Sequence, residues 1–360
     1  MLLLKPHQLT ILSTSRCTAR CAHCSMNSAP GRRERLRLEQ ITTAISELHH
    51  LNGLRVVIFA GGEPTLMGED LLDAIAHAAS LGIMTRIVTN AYWAVSPRRA
   101  REKLVELREA GLAELNLSAD DYHLPYIPFE RVETAWHASK GLGFQAVVIA
   151  NSSGPKSVVN PRFIMDRLGE ELTMRFDDDG FPQPLGGPGP DGTVYAIFNP
   201  TVQRLGRSNL ELGEDEFAYP ADQESLDGAC PWAVRSAALS PKNHLVACCG
   251  IEAEHNEVLD FGDATREPLG ELVARADDDL VVNAIALRGP LFLKRFVERY
   301  APEVEFRERY ASICEICEHV VRRPEVLAVL RRHTAELAHE VMPVRLELED
   351  RELSALEVVA

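Results

Sequence analysis

The sequence predicts an α/β protein: a partial, open (βα)6 barrel of TIM-like design, followed by a smaller α+β region that carries its own cysteines. Three observations lead there. Apolar strand-like runs alternate with helical spacing six times over residues 9–176, polar clusters follow these runs, and eight cysteines divide between residues 17–24 and 230–317. Buried strands separated by amphipathic helices imply parallel strands joined by right-handed crossovers. Six such units are too few to close an eight-stranded barrel.

The units follow in order. Residues 9–12 read as a strand that ends at Cys17, Cys21 and Cys24. Residues 38–48 have apolar side chains at helical spacing, and 56–60 form a continuous apolar strand closed by the turn Gly61, Gly62, Glu63, Pro64. A helix over 70–81 leads to a strand at 85–89 that stops at Asn90; a helix over 97–110 leads to a strand at 114–118. Ser118, Asp120, Asp121, Tyr122 and His123 crowd that strand's end. A helix over 129–142, a strand at 145–151 ending in Asn151, a helix over 161–169 and a strand at 172–176 complete the set. In barrels of this type the chemistry gathers at the C-terminal ends of the strands, where these polar clusters fall.

From 177 to 228 proline and glycine are dense, most of all at 180–190, which predicts a linker, a long loop or a lid. Residues 229–322 form the cysteine-bearing domain, with a hairpin over 237–248 turning at Pro241, Lys242, Asn243 and His244, and helices over 269–276 and 291–300. Cys314 and Cys317 open a further helix, and 323–360 hold a helix near 325–340 and an unassigned tail.

A formal charge of −15 argues against nucleic-acid binding or attraction to an anionic membrane. The N-terminus lacks the features of a signal peptide, and no apolar run is long enough to span a bilayer, so a cytoplasmic location is expected. In a reducing compartment eight cysteines read as metal ligands or catalytic groups. The basic run 32–37 reads as a solvated loop, or as a grip on an acidic peptide or phosphate.

Cys17, Cys21 and Cys24 put three thiolates on one loop. A four-iron cube normally takes four, so one iron would stay open. With His23 included, the same loop also fits a structural zinc. The spacing CxxxCxxC after the first strand, with Gly61-Gly62-Glu63-Pro64 after the second, resembles the radical S-adenosylmethionine (SAM) superfamily. That resemblance implies a [4Fe-4S] cluster on Cys17, Cys21 and Cys24 whose open iron binds the amino and carboxylate groups of SAM. Reductive cleavage would then give a 5'-deoxyadenosyl radical that takes hydrogen from a substrate. It also implies SAM contacts from Gly61, Gly62, Glu63, Pro64, Asn90, Ser118 and Asn151. Asp120, Asp121 and His123 are candidate acid–base groups, with a helix N-terminal capping role as the plainer alternative for the two aspartates.

Cys230, Cys248, Cys314 and Cys317 resemble the ligand set of the twitch domain, a shortened relative of the SPASM domain, which implies a second [4Fe-4S] cluster. A four-cysteine zinc site is the alternative. Cys249 competes with Cys248 as ligand, or serves as a hydrogen-atom donor. The resemblance implies an oxidoreductase fed by an electron donor such as flavodoxin or ferredoxin. A ribosomally made peptide is the favoured substrate, to be cross-linked or dehydrogenated. A small sugar or natural-product intermediate, oxidised or epimerised, is the second choice, and a noncatalytic metal protein the third. The first strand begins about ten residues into the chain, so a separate leader-peptide-binding protein is the expected aid to a peptide substrate.

Overall fold

The computed structural model describes residues 2–173, 175–176, 182–250 and 253–357. Through the first half the chain alternates as β1 (Gln8–Leu12), α1 (Leu38–Asn52), β2 (Val56–Ala60), α2 (Glu69–Ser80), β3 (Met84–Thr89), α3 (Pro97–Glu109), β4 (Glu114–Ser118), α4 (Phe129–Ser139), β5 (Ala146–Ala150) and α5 (Pro161–Leu168). Local chemistry sets the helix ends. Ser96 accepts from the Arg99 amide and Asn160 from that of Phe163, each just ahead of a proline that fits the first helical turn. Gly53 stops α1 in the left-handed conformation, φ +64°.

β1 to β5 pair in parallel as consecutive neighbours, with Ile11 opposite Phe59, Phe59 opposite Ile87, Ile87 opposite Leu115 and Leu117 opposite Ile149. Parallel pairing places every strand's C-terminal end, and the loop after it, at one edge of the sheet. That edge is where the polar clusters meet.

The sixth parallel strand differs from expectation. Arg175–Phe176 (β6) makes only a two-residue antiparallel pair with Pro182–Gln183 (β7), outside the main sheet. The strand that docks on β5 is Val194–Phe198 (β9), and Leu185–Pro188 (β8) runs antiparallel along its outer side. The stretch 177–228 therefore supplies one edge of the sheet as well as connecting segments. A Cβ on Gly186 would meet the Tyr195 carbonyl oxygen at 2.0 Å, and φ there is +138°. At this position the glycine serves close strand pairing, a role that composition alone reads as loop.

The remaining elements are α6 (Ser208–Glu211), β10 (Ser236–Leu239), β11 (His244–Val246), β12 (Asp260–Asp263), α7 (Leu269–Asp278), α8 (Leu280–Leu287), α9 (Pro290–Tyr300), α10 (Ile313–Val321), α11 (Pro324–Arg332) and α12 (Thr334–Glu357). The expected hairpin forms from β10 and β11, with His244 already in the second strand. β10 also lies parallel to β1 on the side away from β2, so the sheet runs β12-β11-β10-β1-β2-β3-β4-β5-β9-β8. The C-terminal cysteine region thus shares the barrel's sheet.

The helix expected near 325–340 is two, because His333 leaves helical geometry between α11 and α12. α12 continues through most of the tail that the sequence left unassigned. Arg345 on it lies 2.9 Å from the buried Asp277 carboxylate, which also accepts from the Leu4 amide at 2.7 Å. These contacts tie α12, α7 and the N-terminal segment together. No helix among the described residues is long and apolar enough to cross a membrane.

Candidate active site

The loop between β1 and α1 carries Cys17, Cys21 and Cys24 over the C-terminal edge of the sheet. All three line one cavity of about 340 Å³, together with His23, Gly61, Gly62, Asn90, Ser118 and His123. Burial pushes the Cys17 thiol up to about 11, against the opposing effect of the Ala19 amide, which lies 3.4 Å from its sulfur. A thiol in that state is a poor anion until a cation binds beside it.

Gly61 and Gly62 hold the β2 turn against the cysteine loop. The Gly62 amide donates to Thr14 O at 2.6 Å and the Glu63 amide to Arg16 O at 2.9 Å. A Cβ on Gly62 would meet Arg16 O at 2.1 Å, and one on Gly61 would meet Thr14 O at 2.7 Å. The obstructing atoms are backbone, so neither side can yield cheaply. Gly62→Ala is expected to cost about 3 kcal/mol and to reduce metal retention by the loop. Denaturant unfolding and metal analysis of the same preparation check both.

Glu63 is fully buried and lies outside the cavity lining. Its Oε1 accepts from the Thr65 amide, the Thr65 hydroxyl and the Thr89 hydroxyl, at 3.1, 2.6 and 2.8 Å, and Oε2 accepts from the Asn90 amide at 2.9 Å. Burial raises its carboxyl, and these donors oppose the shift. The carboxylate thus fastens the ends of β2 and β3 together. Pro64 opens the one-turn helix Pro64–Met67 behind it and is also buried.

Asn90 faces the cysteines, its Nδ2 3.0 Å from Thr18 Oγ1 and 3.6 Å from Cys17 Sγ. Ser118 lines the cavity, whereas Asn151 does not. The Asn151 amide nitrogen donates to Ala119 O and Val159 O, at 2.7 and 3.0 Å, which fixes the loop after β5.

The polar cluster after β4 divides by role. Asp120 is buried and bridges two imidazoles: Oδ1 lies 2.8 Å from His123 Nδ1, and Oδ2 lies 3.3 Å from His23 Nε2. Burial alone would raise its carboxyl, but the two imidazoles outweigh that and hold it well below the usual carboxylate range. Burial would lower His123, and Asp120 overcomes this to raise it well above an ordinary histidine. Tyr122 stacks on His23 with ring centroids 4.7 Å apart. A ring nitrogen of His23, one of His123 and the Cys21 sulfur all lie within 4.8 Å of one another.

Asp121 is placed elsewhere. Its carboxylate accepts from the amides of Val158 and Val159 and does not line the cavity. Asp121→Ala is expected to cost about 1 kcal/mol, as the loss of a loop cap does, read as a shift in the denaturation midpoint.

Burial raises the thiols of Cys314 and Cys317, and Cys248, Cys230 and, for Cys314, Cys249 add to the shift, so the C-terminal cysteines lie near one another. Cys249 sits beside Thr10 of β1, and burial raises its thiol. It does not line the cavity.

Two neighbours of the cysteine loop were illegible in the sequence. Arg207 and Gly206, beside α6, press on the cysteine loop from the far side of the chain. Nothing in the stretch Gly206-Arg207-Ser208 announces the contact, which arises from the return of the chain after β9. His23 was visible only as a zinc ligand, and its pairing with Asp120 needed the tertiary structure.

An open parallel sheet with a three-thiol loop after its first strand, closed by a glycine turn after its second, defines a class. Residues 11–135 match the family model described as the radical SAM superfamily. It is 25% identical over 126 residues to the putative peptide biosynthesis protein YydG of Bacillus subtilis (strain 168), a match covering 35% of this chain and 40% of that protein. It is 34% identical over 106 residues to a PqqA peptide cyclase of Bradyrhizobium diazoefficiens, covering 29% of this chain and 26% of that one. These matches span well under half of either relative. The solved structure of native anSMEcpe with bound AdoMet and Cp18Cys peptide is alike in fold, at a TM-score of 0.51 and 12% identity, over 94% of this chain and 99% of that one.

Proposed function

We propose that the chain is a radical SAM enzyme with two four-iron clusters that oxidatively modifies a ribosomally made peptide, by cross-linking or dehydrogenation. The observation that carries the reading is the single cavity at the strands' C-terminal edge that gathers Cys17, Cys21, Cys24, Gly61, Gly62, Asn90 and Ser118. Three sulfur donors from one loop suit a cube with one iron left open. When bound there, the cluster supplies the electron that cleaves SAM. The backbone at Gly61 and Gly62 holds the loop in place, Glu63 fixes that turn to the end of β3, and Asn90 and Ser118 offer polar contacts to SAM. Asp120 sets the orientation of His23 and His123 at the cavity wall, with His123 the acid–base candidate.

The second cluster rests on Cys230, Cys248, Cys314 and Cys317. A tetrahedral zinc would hold thiolate sulfurs about 3.8 Å apart, given Zn–S bonds of about 2.3 Å. The sequence spacing of these four, with its Cys314-x-x-Cys317 pair, resembles the twitch ligand set, and this is what supports the larger cube over zinc. Cys248 takes the ligand role over Cys249, since it leads the neighbours of both Cys314 and Cys317. The peptide substrate is supported by the names of the two relatives.

Anaerobic reconstitution tests the whole reading. About eight irons per chain and 5'-deoxyadenosine after reduction are expected, with a modified peptide when a precursor encoded nearby is supplied. Zinc at the loop, held through Cys21, His23 and His123, or a loaded cluster that leaves SAM intact, would sink it. Turnover of a sugar in place of every peptide would move the substrate assignment to small molecules.

A further inference from the structure

Arg207 is 5% exposed, and its guanidinium points into the cysteine loop. Nη1 donates to Cys21 O at 2.8 Å and Nη2 to Ser28 O at 2.7 Å, while its backbone amide donates to Cys24 O at 3.1 Å. The approach is close: a Cβ on Gly206, where φ is +56°, would meet Ser25 O at 2.3 Å. Among the described residues, both acceptors on the guanidinium are neutral carbonyls. Among the described residues it has no carboxylate at ion-pair distance. Glu211 feels its charge but is itself paired through both oxygens to Arg20, at 2.5 and 3.1 Å.

A buried cation without a counter-charge is costly, and proteins normally pair such groups. Here the carbonyl of Cys21, a proposed ligand, and that of Ser28, four residues past Cys24, hold it in place. The missing anion is one the loop itself acquires: a four-iron cube on three thiolates is negative overall, and it becomes more so on gaining an electron. We propose that Arg207 is the built-in counter-charge of the cluster on Cys17, Cys21 and Cys24, a positioning residue that holds the loop's shape and eases the cluster's reduction. The proposal rests on the cluster reading above. A role confined to loop geometry would depend on hydrogen bonds alone, whereas a counter-charge role depends on the positive charge.

Arg207→Gln keeps an amide donor and removes the charge; Arg207→Lys keeps the charge with a different donor geometry. The midpoint potential is read by anaerobic redox titration of the full-length reconstituted protein, through the part of the electron paramagnetic resonance spectrum that responds to SAM. Arg207→Gln is expected to shift that potential to more negative values, with Arg207→Lys close to the parent protein. Equal potentials in the parent and in Arg207→Gln, or an equal shift in Gln and Lys, overturn the proposal. If Arg207→Gln fails to retain iron, retention restored in Arg207→Lys supports the charge, and loss in both overturns it. A parent protein that holds no cluster refutes the cluster reading itself, and this inference with it.

Discussion

Replacing Cys17, Cys21 and Cys24 together with alanine is expected to lower iron from about eight to about four atoms per chain and to abolish 5'-deoxyadenosine formation. The two thiol groups are separate sets, one on the loop after β1 and the other on residues 230, 248, 314 and 317. Emptying the first leaves the second intact, so the remaining iron should keep its absorption while SAM goes unconsumed. Thermal unfolding should stay cooperative, because α10, which bears Cys314 and Cys317, packs on α9 and the core. Iron counting before and after substitution checks the claim. Residual SAM cleavage, or complete loss of iron, would overturn the assignment of separate sites.

Glu63→Ala is expected to lower stability by about 5 kcal/mol and to cut metal retention severalfold. The carboxylate is the acceptor for two backbone amides and two hydroxyls at a site with no exposure. Truncation leaves the amides of Thr65 and Asn90 buried without that partner, at about 1–3 kcal/mol for each unsatisfied group, and opens a void beside Thr89. The hydroxyls can turn to other acceptors; the amides cannot. Since Asn90 and the Gly61–Gly62 turn both depend on this anchor, the site should lose shape along with stability. An unfolding free energy from denaturant titration within about 1 kcal/mol of the parent would show that the anchor is dispensable.

Legibility in the sequence followed the range of the interaction. β2 and β4 were readable to the residue because each is a short apolar or alternating run that falls between amphipathic helices. β9 was also an apolar run, Val194-Tyr195-Ala196-Ile197-Phe198, but its glycine- and proline-rich approach has the composition of a loop. Only the pairing with β5, and the close pass of Gly186 under Tyr195, shows that those glycines serve a strand. The cysteine loop and the Gly61–Pro64 turn were legible as a pair, because each motif is contiguous and its chemistry needs those residue types.

Residue roles within the polar clusters were not legible. Asp120 and Asp121 are adjacent, yet one bridges two imidazoles at the cavity wall and the other caps the loop at Val158 and Val159. Which way each carboxylate turns depends on partners far along the chain, and no local pattern encodes them. The same holds for Cys248 and Cys249, adjacent in the chain: Cys248 is a neighbour of both Cys314 and Cys317, and Cys249 sits beside Thr10 of β1.

The sequence by itself determined the alternation of strands and helices, the three-thiol loop with its glycine turn, and the presence of a second thiol group. Those are local properties: periodicity, spacing and residue type. Tertiary structure alone decided that β10 extends the barrel's sheet beside β1, that Glu63 works as a buried anchor, and that Arg207 reaches the cysteine loop from nearly two hundred residues away. Each of these depends on which buried polar group finds which partner, and that is settled only when the chain has packed.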